Sequence, residues 1–148
     1  MRKKILIIGP NHSGKAKLAH YLNEEEGPIK KRGSIVYGKY TISVPSSYLE
    51  SPDMHKHIIS LRTQTHLVLM LYPLMQKKKV YPPNFAKVFN VPVMGVLTFN
   101  EESPSSSQLQ QIDKMFEEIK IMTPYEQLNL SCETSIESFC NKIRKKGE

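Results

Sequence analysis

The sequence has few of the features that would place it outside the cell or in a membrane. It holds two cysteines, Cys132 and Cys140, which are too few for a disulfide framework and lack metal-ligand spacing. No apolar stretch approaches the roughly 20 residues that a membrane-spanning helix needs. The basic N-terminus leads into a short apolar run, Ile5 to Ile8, so we expect no signal peptide. These absences predict a cytoplasmic protein.

The chain also lacks internal repeats and any segment typical of a linker. Its 148 residues are enough for one sizeable core, and its composition, 39% hydrophobic and 24% charged, is typical of globular proteins. We therefore expect a single domain spanning residues 1–148.

Positive charge is in excess, with a net charge of +7 and a sequence pI of about 9.4. An anionic partner is therefore plausible, and nucleic acid has to be considered. The basic residues, however, lie in short clusters without the interleaved aromatic side chains of a base-stacking surface. The clusters are Arg2–Lys4, Lys30–Arg32, Lys77–Lys79 and Arg144–Lys146. This pattern is typical of solvated surface and makes nucleic-acid binding the least favoured function.

The residues after the first apolar run form the most informative motif in the chain. The pattern G-x-x-x-x-G-K of a phosphate-binding loop is met by Gly9, Pro10, Asn11, His12, Ser13, Gly14 and Lys15. The run before the motif predicts a buried parallel strand, and the apolar spacing after it predicts a helix. In this context the glycines permit a tight turn, the helix adds its positive end, and Lys15 adds a full charge. We therefore predict that residues 9–17, which include Ala16 and Lys17, bind nucleotide phosphates.

One position departs from the motif of working P-loop enzymes. Ala16 stands where a serine or threonine hydroxyl would contact Mg²⁺. Two other candidate ligands, His55 and His57, would point to different faces of a helix and could not chelate together. We therefore predict no protein-held metal, with Mg²⁺ carried only by nucleotide phosphates, and we assign no catalytic residue. His12 could donate to an anion or face solvent, and the sequence leaves both open.

Apolar periodicity predicts alternating strands and helices along the chain. The strands are expected at 5–8, 34–37, 40–44, 67–71, 91–97 and 128–131, and the helices at 15–22, 53–62, 84–89, 108–119 and 135–144. Gly38-Lys39 predicts a hairpin, and Asp53 is the expected cap of the second helix. The alternation predicts a three-layer, doubly wound α/β fold with a mostly parallel sheet of about six strands.

Ligands of such sheets bind outside the carboxyl ends of the strands. The segments that follow the predicted strands are therefore the places to look for metal, switch and base-reading residues of the kind that a small GTPase carries. They are Ser43–Ser47, Tyr72–Met75, Thr98–Glu101 and Ser131–Thr134.

The stretch from Tyr81 to Thr98, YPPNFAKVFNVPVMGVLT, carries a specific resemblance. It is similar to the Phe-Pro-Pro-x-Phe-Ala segment and following Pro-Val-Ile-Gly-Ile-Val-Thr strand of the EutP/PduV family of P-loop proteins, found with bacterial microcompartment operons. Pro45 and Tyr48–Glu50 resemble the end of that family's Asp-Thr-Pro-Gly-Glu-Tyr-Ile-Glu block, and the likeness runs from Lys4 to about Phe139. The resemblance implies a P-loop NTPase fold of the small-GTPase type and a role in ethanolamine or propanediol utilisation. It also implies ATP or GTP as the ligand and a microcompartment shell or cargo protein as a partner.

The departures from this family fall on the residues that carry its chemistry. Ser43 stands where the family's aspartate would hold Mg²⁺ through water, and Ser46 stands where a glycine N–H would contact the terminal phosphate. In the guanine-reading Thr/Asn-Lys-x-Asp motif, the lysine is Phe99 and the aspartate is Glu101. The base-binding candidates that the resemblance implies are Thr98, Phe99, Glu101, Ser131 and Cys132.

The sequence leaves three functional hypotheses. The first is a nucleotide-binding P-loop protein with weak or absent hydrolysis or phosphotransfer. The second is a catalytically inactive relative that acts as a microcompartment interaction or scaffold protein, and the third is a basic nucleic-acid binder. The intact glycines and lysine of the loop favour the first two, whereas Ala16 and Ser43 argue against catalysis.

Overall fold

The computed structural model describes residues 3–29, 34–76, 80–100, 102–121 and 124–146, and side chains as far as Arg144. Its strands form one six-stranded sheet in the order β2-β3-β1-β4-β5-β6. The strands are β1 Lys4–Ile8, β2 Val36–Tyr37, β3 Thr41–Ser43, β4 Thr65–Pro73, β5 Val93–Phe99 and β6 Glu126–Asn129. The hairpin partners β2 and β3 pair antiparallel, and the other neighbours pair parallel, so the predicted mostly parallel α/β sheet is confirmed.

Helices cover both faces of the sheet. The α-helices are α1 Lys15–Leu22, α2 Ser46–Glu50, α3 His55–Ser60, α4 Ser106–Ile119 and α5 Glu133–Lys146. Short 3₁₀ helices lie at Pro52–Met54, Leu61–Gln64 and Phe85–Phe89. No helix in the described part of the chain is long and apolar enough to cross a membrane.

Strand β1 shows how the three layers arise. Its side chains alternate between the two faces, as the pleat of a strand requires. Leu6 and Ile8 belong to a buried cluster with residues of α3 and α4, while Ile5 and Ile7 pack in a second cluster with residues of α1 and α5. Every one of these four side chains is at most 4% exposed, which explains why the strand is apolar from Ile5 to Ile8.

The segment after β3 differs from its prediction. Instead of one helix capped by Asp53, the chain forms α2, a 3₁₀ turn that contains Asp53, and then α3. The prediction of Asp53 as the cap is wrong, because the residue that precedes α3 is Met54 and no side chain caps that helix. The extended backbone of Pro45, at φ −61° and ψ 148°, allows a new helix to begin directly at Ser46.

Other element boundaries also differ from the predicted ones, as α4 and β6 show. Helix α4 begins at Ser106 rather than Gln108, because Ser105 and Gln108 form a capping box in which each side chain bonds the other's backbone N–H. Strand β6 ends at Asn129 rather than Ser131, since Leu130 and Ser131 already turn towards α5.

Asn23, the residue after α1, fixes the hairpin to this helix. Its Nδ2 donates to the Thr41 hydroxyl at 2.9 Å, and its Oδ1 accepts from the Tyr40 N–H at 2.7 Å. Gly38 is needed at this point, because a Cβ there would lie 2.4 Å from Asn23 Nδ2. The hairpin is thereby held beside α1, where it borders the cavity described next.

Candidate functional site

The predicted phosphate loop, residues 9–15, connects β1 to α1 as the motif requires. Both of its glycines occupy positions where a Cβ atom would come too close to a neighbouring side chain. A Cβ on Gly9 would lie 2.6 Å from Ser13 Oγ, and one on Gly14 would lie 2.7 Å from Leu130 Cδ1. Gly14 also has a φ of +94°, in the left-handed region that side chains disfavour. The loop therefore has the tight backbone that would bring N–H groups close to an anion.

Polar groups at this loop are arranged as an anion site would need. Lys15 Nζ lies over the loop and donates to the Gly9 and Pro10 carbonyls at 2.7 and 3.0 Å. Ser13 is 1% exposed, and its Oγ has no hydrogen-bond partner in the structure. Buried hydroxyls are normally paired, so an orphaned one indicates a place where a ligand or solvent is bound.

A cavity of about 790 Å³ opens beside the loop. This volume lies within the range of small-molecule sites. Part of its wall is one face of α1, with Ala16 and Lys17 at the near end and Asn23 at the far end. The predicted phosphate-binding residues that line it are Asn11, His12, Ser13, Gly14, Lys15, Ala16 and Lys17. Gly9 and Pro10 lie behind them, buried.

The opposite wall comes from the segment after β3. Ser43 and Ser46 both line the cavity, and the Ser46 hydroxyl donates to Asn11 Oδ1 of the phosphate loop at 3.3 Å. This approach follows from the topology, because β1 and β3 are parallel neighbours with Ile7 opposite Ser43. Local sequence pattern does not indicate the contact between Ser46 and the loop, because the two segments are 35 residues apart.

The predicted base-binding residues lie on the other side of the loop. Thr98 and Phe99 end β5, while Ser131 and Cys132 follow β6, its parallel neighbour. Thr98 is fully buried with an unpartnered hydroxyl, Phe99 and Cys132 are half-buried, and Ser131 is exposed. These four lie outside the lining of the cavity, to which Asn100 contributes. Glu101 lies outside the described residues.

Leu130 connects the two sides of the site, and the sequence did not indicate it. Its side chain packs against Gly14, and its carbonyl accepts from Lys17 Nζ at 2.6 Å. Its N–H donates to the Phe99 carbonyl at 2.8 Å. Since Leu130 is 113 residues from Lys17, only the assembled sheet brings these groups together. The phosphate loop and the base-side residues thus share one contact point.

Cys132 lies immediately before α5, in a setting that favours its thiolate. Hydrogen bonds from Ser135, through its side chain and its backbone, lower the pKa of this thiol, and the Thr134 backbone adds to the effect. Partial desolvation opposes the shift. Cys140, which is buried on the same helix, has its pKa raised by burial to about 11.

The residues of the site do not fit a protein-held metal. Mg²⁺ prefers oxygen ligands, usually one or two carboxylates with substrate phosphates. Ala16 and Ser43 supply no carboxylate at the phosphate end, and the acidic residues of the cavity wall, Glu25 and Glu26, lie beyond the far end of α1. In the part of the chain that the structure describes, no group of three or more His, Cys, Asp or Glu side chains could hold a metal ion.

Sequence comparison gives a family match along almost the whole chain. Residues 2–145 match the family described as "Ethanolamine utilisation - propanediol utilisation" (PduV-EutP). The propanediol utilization protein PduV of Citrobacter freundii is 26% identical over 96 residues, which are 65% of this chain and 64% of that protein. The match thus spans slightly less than two thirds of this relative's length.

Structural comparison finds similar folds in solved structures of low sequence identity. The translation elongation factor SelB of Methanococcus maripaludis, in complex with the GTP analogue GppNHp, matches with a TM-score of 0.58 and 15% identity. The match covers 98% of this chain and 34% of that one. A single-residue variant of Era from Aquifex aeolicus, bound to GDP and AlF₄⁻, gives a TM-score of 0.57 and 15% identity over 98% of this chain and 57% of that one. These likenesses show the fold.

Proposed function

Because the chain belongs to the ethanolamine utilisation–propanediol utilisation family, we propose that it is a P-loop protein that binds a nucleoside triphosphate, ATP or GTP, in one of these pathways. In this proposal residues 1–148 act as one cytoplasmic nucleotide-binding domain. Residues 9–17 hold the phosphates, and the base lies towards Thr98, Phe99, Glu101, Ser131 and Cys132. Mg²⁺ enters only on the nucleotide.

The observation that carries the proposal is the form of the phosphate loop. Gly9 and Gly14 stand where any Cβ would collide, Ser13 keeps an unpaired buried hydroxyl, and Lys15 lies over the loop carbonyls. A turn that only connected a strand to a helix would need none of these together. Each group is explained by an anion that accepts hydrogen bonds from the loop and charge from the lysine.

Hydrolysis and phosphotransfer are weak or absent in this proposal. Phosphoryl transfer depends chiefly on positioning and on stabilisation of charge. Ala16 and Ser43 both line the cavity at positions where this chemistry uses a hydroxyl and a carboxylate, and neither residue supplies the required group. The same two positions support a second candidate function, an inactive relative that binds a microcompartment shell or cargo protein.

The test is a calorimetric titration of ATP and GTP, with and without Mg²⁺, against the full chain and Lys15→Ala. Loss of one charge-assisted contact of about 1.5–3 kcal/mol should lower affinity by about one to two decades. Lys114→Ala, on the exposed side of α4, is the matched control and should leave affinity unchanged. GTP should be preferred over ATP by less than about tenfold, because Phe99 replaces the lysine of the guanine motif.

Equal binding by the full chain and Lys15→Ala would contradict the phosphate-site assignment. Binding of RNA or DNA that Lys15→Ala leaves unchanged would instead favour the nucleic-acid hypothesis. Triphosphate binding without phosphate release, together with capture of a shell or cargo protein of the same operon, would favour the scaffold function.

A further inference from the structure

We propose that a second cavity, at the amino ends of β4 and β5, binds a small organic anion that has a carboxylate head and an apolar body. The cavity has a volume of about 750 Å³, which is within the range of small-molecule sites. It lies at the opposite edge of the sheet from the phosphate loop, because β1, β4 and β5 are parallel and the loop follows the carboxyl end of β1. The inference is therefore independent of the proposed function.

Two helical segments end beside these strands and leave the cavity between them. Helix α4 is followed by Lys120 in the left-handed region, at φ 72°, and the 3₁₀ helix Phe85–Phe89 is followed by Asn90, also left-handed at φ 54°. Arg62 Nη1 donates to the Val88 carbonyl at 2.8 Å and so ties the 3₁₀ helix to the segment before β4. The starts of β4 and β5 line the space between the two helix ends.

Most of the lining of this cavity is apolar. Leu67, Ala86 and Met94 are buried at its inner side, while Val91 and Val93 are half-buried. An apolar ligand group placed here would remove the half-buried side chains from water, and the gain rises with the apolar area that is covered. The lining thus favours a ligand with an apolar body.

The charged groups of the lining are cationic. Lys87 and Lys120 are exposed at the rim, and His66 is half-buried. Among the described residues that line the cavity none is acidic, and neither lysine side chain is engaged in a hydrogen bond or ion pair. An ammonium group binds a carboxylate as a compact point charge. The rim therefore favours an anionic head and disfavours a cationic one.

The carboxyl end of α4 carries a partial negative charge that would oppose an anion, but its carbonyls are already engaged. Those of Phe116 and Glu117 accept the N–H of Lys120. The Glu118 carbonyl accepts from the Asn84 N–H at 2.8 Å. The side chains of both glutamates are exposed and stand outside the lining, so the two lysines provide the charge nearest to a bound head group.

The test is an NMR titration of the isotope-labelled full chain with octanoate, 1-octanol, octylamine and acetate. Octanoate should shift the amides of Val91, Val93 and Met94 and should bind about tenfold more tightly than 1-octanol, since two exposed charges attract its head group. Octylamine has the wrong charge and acetate lacks the apolar body, so both should bind more weakly than octanoate.

Variants separate the head group from the body. Lys87→Gln and Lys120→Gln should each weaken octanoate binding about three- to fivefold and leave 1-octanol unchanged, and the double variant should lose about the product of the two. Lys114→Gln, on the exposed side of α4 and outside the cavity, is the matched control. Val91→Phe fills part of the cavity and should weaken octanoate and 1-octanol alike.

Several results would overturn the inference. They are an absence of octanoate binding, equal binding of octanoate and 1-octanol, and an equal loss in Lys114→Gln and the two rim variants. Binding that Lys15→Ala abolishes and Lys87→Gln does not would place the anion at the phosphate loop instead. Tighter binding of an acidic peptide such as N-acetyl-Leu-Glu-Leu-amide than of octanoate would assign the surface to a protein partner and overturn the small-molecule assignment. Where thermal unfolding shows that Val91→Phe does not fold, the exposed lysine variants decide the question alone.

Discussion

The two sides of the candidate site are built on different physical principles. On the phosphate side, the loop is fixed by backbone geometry, with Gly9 and Gly14 packed where no side chain fits. On the base side, recognition would depend on side chains such as Phe99 and Ser131, which stand at strand ends where many residue types fit. Backbone geometry tolerates few substitutions, whereas strand-end side chains can change without loss of the fold. We therefore expect the loop glycines to tolerate fewer substitutions than the base-side residues do.

The largest expected effect is that of Gly14→Ala, because the tightly packed phosphate side should not accommodate even one added methyl group. Gly14→Ala adds a Cβ that would lie 2.7 Å from the buried Leu130 side chain, at a φ of +94°. Strain of about 1–3 kcal/mol and overpacking of similar size should together cost about 2–6 kcal/mol of unfolding free energy. Triphosphate affinity should fall by about a hundredfold, since either the loop or the buried Leu130 side chain must move to relieve the clash. Denaturant unfolding and calorimetry measure the two effects.

Gly27→Ala is a matched control for this variant. Gly27 also has a positive φ, +86°, but a Cβ there would meet nothing within 4 Å. It should therefore show only the conformational cost, about 1 kcal/mol, with unchanged nucleotide affinity. If both variants were equally destabilised, packing against Leu130 would contribute nothing, and the phosphate side would be no more constrained than an open turn.

The sequence predicted the fold well because its central strands are buried on both faces. Continuous apolar runs such as 67–71 can satisfy only a central strand, and β4 lies there. The segment after Pro45 was predicted poorly, because α2 and the turns after it are short and only Leu49 of α2 is buried. With so little apolar periodicity, local pattern could not separate one helix from three short ones.

For the candidate site, the sequence predicted the residues of the phosphate loop but not their surroundings. A motif such as G-x-x-x-x-G-K is local, so its place between β1 and α1 could be read directly. Leu130 and Ser46 reach the loop from elements more than thirty residues away, and no local spacing indicates such contacts. The roles of Thr98, Phe99, Ser131 and Cys132 in base binding stay a prediction.

The different reactivities expected of the two cysteines test whether a bound base lies near Cys132. Cys132, itself one of the base-side residues, is half-buried with a lowered pKa, whereas Cys140 is buried with a pKa of about 11. The thiolate is the reactive form, and at pH 8 only about one in a thousand Cys140 side chains would carry it. Iodoacetamide should therefore label Cys132 at least about tenfold faster, allowing for the weaker nucleophilicity of a low-pKa thiolate.

The pH dependence follows from the sign of each shift. Labelling of Cys132 should level off at a lower pH than that of an ordinary thiol, while labelling of Cys140 should still rise above pH 10. Mass spectrometry of the wild type, with Cys132→Ser and Cys140→Ser as controls, separates the two sites. A saturating triphosphate should slow labelling of Cys132 severalfold, and an unchanged rate would show that the base does not lie near α5.

The smallest expected effect is that of removing Mg²⁺ on nucleotide affinity. It tests whether the phosphate side binds nucleotide without a protein-held metal. Ala16 and Ser43 leave the ion without a loop hydroxyl or a carboxylate, yet Mg²⁺ can complete its octahedral shell with water and phosphate oxygens. Chelation of Mg²⁺ should therefore change nucleotide affinity by less than about fivefold. Ala16→Thr combined with Ser43→Asp should make binding depend on Mg²⁺, because the ion would then link the protein to the phosphates, and Ala16→Val with Ser43→Asn controls for side-chain size. Brisk phosphate release by the unmodified protein with Mg²⁺ would show that other residues position the ion. The expected contrast between a phosphate loop that binds nucleotide and a site that does not hold the metal would then fail.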